Sequence, residues 1–299
     1  MRALVTGATG FIGRKLVASL EQPVILSRRP EIAKQILGDV QTYAWDPEAG
    51  PPPAEALGGV EAVFHLAGES VAAGRWTTQR KERIRESRIR GTRNLVAGLE
   101  AQKERPRVLV SASAVGYYGS RGDEILEEDA KPGGDFLAEV CQAWEAEANR
   151  ASQFGVRVVT PRIGIVLGKG GGALAKMLTP FKLGLGGRLG SGEHWMPWIH
   201  LDDLVGLMLH AAKKEISGAL NAVGPAPVTN REFTRTLASA LDRPAIFPVP
   251  EFALGLMFGE LASVLLASQR VVPRVAEKTG FQFQYPSLEG ALRDIVGGG

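Results

Sequence analysis

Arg2-Ala3-Leu4-Val5-Thr6-Gly7-Ala8-Thr9-Gly10-Phe11-Ile12-Gly13 follows Met1 and decides the fold of this chain. The apolar run up to Thr6 reads as a buried first strand. Gly7, Gly10 and Gly13 follow at once, and Phe11, Ile12, Leu16, Val17 and Leu20 then recur at helical spacing. Three glycines between a strand and a helix serve three needs: a turn off the strand, a close approach of backbone to a pyrophosphate, and tight packing of helix on sheet. The first-turn N–H groups and the positive end of the helix dipole face the same phosphates. The stretch predicts a dinucleotide-binding βα unit.

Pro23-Val24-Ile25-Leu26-Ser27 reads as the second strand and runs into Arg28-Arg29. A site selective for NAD places a carboxylate at this strand end to hold the ribose 2′-hydroxyl, whereas arginine suits a 2′-phosphate. The next acid is Glu31, beyond Pro30. The expected cofactor is therefore NADP(H).

At 299 residues the chain has room for one large α/β domain or a nucleotide domain with a smaller lobe. A net charge of +3 is too mild to argue for nucleic acid. Cys141 is the sole cysteine, which excludes an intramolecular disulfide and a cysteine metal cluster. The four histidines lack ligand spacing, so no metal is expected. The opening residues do not read as a signal peptide. Phe252 to Ala267, the most apolar late stretch, is broken by Glu260 and is shorter than a bilayer crossing requires. A cytoplasmic monomer or homodimer acting on a small molecule, without membrane or nucleic-acid partners, is the expectation.

Strand and helix signals alternate through the first half. Val40–Trp45, Val60–Leu66, Arg107–Ser111 and Gly155–Val159 read as strands three to six, with helices near Thr77–Gln102 and Asp135–Gln153. This predicts a doubly wound parallel Rossmann sheet of the α/β class. After Pro161 the alternation fades. Glycine clusters punctuate residues 168–187, and helices recur near Asp202–Lys213, Asn230–Leu241 and Leu288–Val296, with Thr229 and Glu232 set for a capping box. We expect an NADP(H)-binding domain at 1–165, with a segment near 198–224 returning to it through Gly218–Val223. The remainder, 166–299, is expected to be a smaller mixed α/β substrate lobe. The tract Gly170-Gly171-Gly172 is either a hinge or an anion nest.

The order of Thr6–Gly13, His65-Leu66-Ala67-Gly68, Ser111–Gly119 and Trp198–Asp203 resembles that of extended short-chain dehydrogenase/reductases. Gly68-Glu69-Ser70, Arg75-Trp76-Thr77, Ser87-Arg88, Pro132–Phe136, Trp144-Glu145, Gly164–Gly168 and Pro197–His200 are similar to an atypical branch, the nucleoside-diphosphate-sugar epimerase-like proteins. The tail with Ser268–Pro273 and Gly280–Phe283 resembles that branch's C-terminal domain of unassigned function, at about 248–296. The likeness spans essentially the whole chain. Together with the glycine loop it assigns to the cofactor Gly7, Thr9, Gly10, Phe11, Ile12 and Gly13, then Ser27, Arg28 and Arg29. Leu66, Ala67, Gly68, Arg88, Ser111, Ala112, Pro161, Arg162, Gly164 and Val166 complete that set. Leu66-Ala67-Gly68 offers the small apolar edge an adenosine needs.

The resemblance also exposes a departure. Extended members carry a Tyr-x-x-x-Lys pair on the helix after the fifth strand, the tyrosine as acid/base and the lysine on the nicotinamide ribose. Asp135 to Glu145 holds neither residue in any register. Proton transfer must come from elsewhere. Ser113 either polarises substrate or satisfies a turn. Of Tyr117 and Tyr118, at most one faces a cleft, because adjacent extended residues point opposite ways. Glu69 could carry a proton or form a plain salt bridge. His65 and His200 read as structural. The basic run from Arg80 to Arg93 reads as a solvated helix face, with Arg88 and Arg83 as candidates to reach inward to nucleotide phosphates. Two functions remain open: an NADP(H)-dependent oxidoreductase or epimerase on a sugar-nucleotide or small carbonyl, and a non-catalytic NADP(H)-binding sensor or scaffold.

Overall fold

The computed structural model describes residues 1–297; the last two residues of the lobe expected at 166–299 lie outside the described residues. The first half runs β1 (Arg2–Thr6), α1 (Phe11–Ala18), β2 (Gln22–Ser27), α2 (Pro30–Leu37), β3 (Gln41–Ala44), β4 (Ala62–His65), α3 (Thr78–Glu100), β5 (Val108–Ser111), α4 (Phe136–Asn149) and β6 (Arg157–Ile163). The second half holds α5 (Gly172–Lys182), α6 (Leu201–Lys213), β7 (Gly218–Ala222), α7 (Asn230–Leu241), α8 (Glu251–Phe258) and α9 (Leu288–Val296).

The main sheet has the order β7-β6-β5-β4-β1-β2-β3, and every pairing is parallel. Parallel strands are covered on both faces, so their side chains divide between two cores. Ala3 and Val5 of β1, Phe64 of β4 and Val110 of β5 pack with α1 and α6 on one face. Leu4, Val63 and Leu109 pack with Leu95 and Leu99 of α3 and Ala148 of α4 on the other. Strand order reverses between β1 and β4, the switch point where such sheets bind ligands beyond their strand C-termini.

β6 continues past the Val159 boundary read from the sequence, because Pro161-Arg162 reads as a turn yet stays in the sheet. The proline is tolerated for a local reason. On that edge β5 pairing ends at Val110 with Val159, and Ser113 does not pair until Arg162, so Pro161 falls in the gap.

Leu167, Leu174, Phe181, Trp198, Phe233 and Leu292 form a further core contributed largely by α5, α7 and α9. Thr229 and Glu232 make the expected reciprocal capping box at the start of α7. The apolar 252–267 stretch folds as α8 and a short helix at Leu261–Leu265, with Glu260 between them. No helix among the described residues is long and apolar enough to cross a membrane.

Candidate functional site

The three glycines have separable geometric reasons. Gly7 takes φ +69°, and a side-chain carbon there would lie 2.8 Å from the Leu66 carbonyl carbon, so the turn hugs the end of β4. At Gly13 the added carbon would lie 2.3 Å from the Gly7 oxygen, closing helix onto loop. At Gly10 it would meet nothing nearer than that oxygen at 3.2 Å, and the backbone itself is exposed. Thr9 is half-buried beside it.

A cavity of about 480 Å³ opens here, bounded by Thr6–Gly10, Ile25–Arg29 with Ile32, and Leu66–Gly68. Thr6 ties its floor together, its hydroxyl accepting the Leu66 and Ala67 amides at 3.2 and 3.1 Å. Ser27 accepts the Arg29 amide at 3.1 Å, shaping the turn after β2. Arg28 and Arg29 are exposed, and among the described residues their guanidiniums have no protein partner. A backbone cradle, an open helix N-terminus and two uncommitted cations fit a pyrophosphate carrying an adenosine 2′-phosphate. A larger hollow of about 650 Å³ lies among Arg2, Arg14, Gln22 and Gln41 at the strand N-termini and holds none of these residues.

Phe11 and Ile12 start α1. The Phe11 ring lies against the glycine tract, where a side-chain carbon at Gly171 would come within 2.3 Å of it. The ring accounts for Gly171 and Gly172, while Gly170 takes φ +74° with open space around it. Val166, Phe11, Ile12 and Leu66 are all partly buried against the core on the α1 face. Gly164 is needed where the Pro197 carbonyl would stand 2.5 Å from a side-chain carbon. Ala112 donates its amide to the His65 carbonyl at 2.9 Å, and the Ser111 hydroxyl is buried without a partner among the described residues.

Several expected site residues belong instead to one buried polar network. Arg162 grips Glu145 with Nε and Nη2 at 2.9 and 3.0 Å, and its Nη1 reaches the Tyr118 hydroxyl and the Glu128 carbonyl, both at 2.9 Å. Ser113 donates to Glu145 at 2.6 Å, and Tyr118 donates to Asn221 at 2.6 Å. The polar atoms of Ser113, Tyr118 and Arg162, expected as site residues, are all engaged within this network. Pro161 is buried within β6 beside this network. Burial pushes the Tyr118 hydroxyl up to about 12, against the pull of Arg162. The sequence did offer a signal for Glu145: it falls within the apolar stripe of α4 formed by Val140, Cys141, Trp144 and Ala148.

Tyr117 differs from its neighbour. It is half-buried, its hydroxyl makes no hydrogen bond among the described residues, and the Arg162 guanidinium carbon lies 3.4 Å from its ring centroid.

Comparison with known proteins agrees with this geometry. Residues 3–222 match the NAD dependent epimerase/dehydratase family, and residues 249–295 match a domain of unknown function, DUF1731. The chain belongs to the NAD dependent epimerase/dehydratase family. It is 42% identical to the chloroplastic epimerase family protein SDR39U1 homolog of Arabidopsis thaliana, over 99% of this chain and 87% of that one. It superposes on the crystal structure of human epimerase family protein SDR39U1 with NADPH at a TM-score of 0.90, with 35% identity and all of both chains covered. A nucleoside-diphosphate sugar epimerase from Corynebacterium glutamicum matches at 33% identity and a TM-score of 0.79, over 99% of this chain and 58% of that one.

For a member of this family, α4 is unusual. Phe136 stands edge-on to Trp76, with ring centroids 5.4 Å apart and Lys81 4.8 Å from its ring. Val140 is buried, as is Cys141, whose thiol burial pushes up to about 11. Other titrating candidates are accounted for. His65 lies between the hydroxyls of Thr6 and Thr92 at 2.7 and 2.9 Å, and burial pulls its pKa down to about 4. His200 caps α6 by accepting the Asp202 amide at 3.1 Å and stacks on Tyr285. Glu69 pairs with Arg80 at 2.5 Å. Arg83 is exposed on α3, which corrects the expectation that it turns inward. Arg88 does turn inward, beneath Gly68.

Proposed function

We propose that this protein is an NADP(H)-dependent oxidoreductase or epimerase-like enzyme acting on a sugar-nucleotide or small carbonyl substrate. Tyr117 is its proton-transferring group. The observation that carries this reading is the Tyr117 ring lying on Arg162 with its hydroxyl uncommitted, in a chain whose β1–α1 cleft fits the cofactor. The NADPH of the human relative's crystal structure and the sugar-nucleotide name of the Corynebacterium relative support the choice of cofactor and substrate class.

Bound NADP(H) supplies or accepts the hydride. Gly10 and the first turn of α1 would hold its phosphates, and Arg28 with Arg29 would hold the 2′-phosphate. Tyr117 moves the proton at the reacting oxygen, and the guanidinium against its ring puts positive charge beside the negative charge that builds there. Arg162 is fixed in turn by Glu145, so this charge does not need to reorganise. A second reading, an NADP(H)-binding sensor without turnover, is favoured by the empty chemistry of α4 and by the commitment of Ser113 to Glu145.

A hydride-exchange screen with sugar nucleotides and small carbonyls tests both. Tyr117→Phe is expected to lower turnover by about 10²–10⁴-fold, the span of a positioned acid or base. Tyr118→Phe should keep turnover and lower stability. Normal turnover in a folded Tyr117→Phe variant contradicts the assignment. Tight NADPH binding by a parent protein that turns over none of the panel favours the sensor.

A further inference from the structure

The C-terminal domain at residues 249–295 reaches back to Tyr117 through one short segment. Ser268 to Val272 runs alongside residues 119–126, and Arg270 and Val271 pair in parallel with Ile125 and Leu126. The Ser268 carbonyl accepts the Arg121 amide at 2.8 Å, and its hydroxyl donates to the Gly122 carbonyl at 2.8 Å. Gln269, between them, is buried. Its Nε2 donates one hydrogen to the Val115 carbonyl at 2.9 Å and the other to the Gly119 carbonyl at 3.0 Å.

Those two carbonyls flank Tyr117. Val115 opens the 3-10 turn Val115–Tyr118, and Gly119 follows it. The carbonyls between them are also engaged, that of Gly116 by the Gly119 amide at 3.2 Å and that of Tyr117 by the Gly133 amide at 2.9 Å. So short a turn has few hydrogen bonds of its own, and the place of a side chain on it is set by whatever holds its ends. Gly133, on the way into α4, holds the middle, and Gln269 spans both ends. A side-chain amide carries two donors on one nitrogen, as bridging two carbonyls requires. The same segment reaches the second tyrosine, since the Val272 carbonyl accepts from Asn221 at 2.9 Å and Asn221 accepts from Tyr118.

We propose that Gln269 is a positioning residue for Tyr117, and that the C-terminal domain serves the reaction by fixing the turn on which the proton-transferring group sits. This rests on the Tyr117 reading above and deepens it. Helix α4 lacks the tyrosine and lysine, so the group is carried on a loop, and a loop needs a second element to hold it.

Two measurements on the full chain test the proposal. Gln269→Met keeps the length of the side chain and removes both donors. In NMR spectra of protein with tyrosines isotope-labelled at Cζ, it is expected to shift the Tyr117 and Tyr118 resonances and leave those of Tyr43 and Tyr285 in place. Turnover is read with UDP-glucose and NADP⁺, and with glyceraldehyde and NADPH. Gln269→Met should lower kcat by about tenfold or more with little change in KM, as a misplaced acid or base does. Gln269→Asn, whose amide is too short to span both carbonyls, should fall between. On a Tyr117→Phe background Gln269→Met should cost nothing further, because it acts through the tyrosine. An additive loss on that background, or an unchanged kcat and Tyr117 resonance in folded Gln269→Met, overturns the proposal and leaves the Tyr117 reading intact. Where Gln269→Met fails to fold, Gln269→Asn carries the same comparison. Undiminished turnover in Tyr117→Phe, or no turnover of either substrate by wild type, overturns the Tyr117 reading and the proposal with it.

Discussion

Buried between two threonine hydroxyls beneath the cleft, His65 is neutral in the folded protein, and its pKa is pulled down to about 4 by burial. The unfolded chain binds its proton near 6.5, so in the window between, the folded state holds fewer protons. The stability His65 permits is complete above that window and is lost as pH falls through it. The difference amounts to roughly 3 kcal/mol. Urea unfolding of His65→Gln across this range should show a shallower loss of stability than wild type by about that amount. Parallel profiles for the two proteins would mean that His65 is not the linked group. At this scale the sequence was half legible. The expectation that Tyr117 and Tyr118 alternate along an extended segment is corrected, because Val115–Tyr118 is a 3-10 turn; the two still differ, Tyr118 being buried and bonded and Tyr117 half-buried. That difference was decided by Asn221 and Arg162, which are 103 and 44 residues away from Tyr118 in the chain. The engagement of Ser113 and Arg162 was not legible for a related reason: Glu145 binds both, and its place in the apolar stripe of α4 marks it as buried without naming its partners. The Arg162–Glu145 pair is buried on both sides, so removing one member strands the other at a cost of about 3–5 kcal/mol.

Among elements, the β1–α1 turn was legible because its three glycines answer backbone constraints that lie within a dozen residues of one another. Their roles can be separated. Gly13→Ala drives a carbon onto the Gly7 oxygen and the Ala8 backbone, both shorter than 3 Å, so thermal unfolding should drop sharply. Gly10→Val brings its Cβ to 3.2 Å from the Gly7 oxygen, a milder contact than at Gly13, and intrudes on the phosphates, so the variant should fold and lose NADPH binding. A folded Gly10→Val protein with wild-type affinity would put the phosphates elsewhere. Helix α7 was equally legible, since its capping box is a four-residue signal. The extension of β6 and the purpose of Gly171 and Gly172 were not. Both depend on distant neighbours, namely β7 alongside the strand and the Phe11 ring against the tract.

Across the whole molecule, a parallel sheet with two covered faces presents its strand C-termini to one cleft, and a separate core builds the lobe beyond it. The segment after β4 ties the two together. Lys176 donates to the Ala72 carbonyl at 3.0 Å, Arg75 donates to the Leu256 carbonyl, and Lys81 pairs with Glu260 at 2.6 Å. The account's central claim is that this cleft is built for NADP(H), with Arg28 reading the 2′-phosphate. A charge-assisted hydrogen bond that becomes partly buried is worth about 1.5–3 kcal/mol, or one to two orders of magnitude in affinity. Calorimetric titration of wild type and Arg28→Ala with NADPH and NADH tests this most directly. Wild type should bind NADPH more tightly than NADH, and Arg28→Ala should weaken NADPH by roughly 10- to 100-fold while leaving NADH nearly unchanged. Equal losses for both cofactors, or a wild-type preference for NADH, would contradict it.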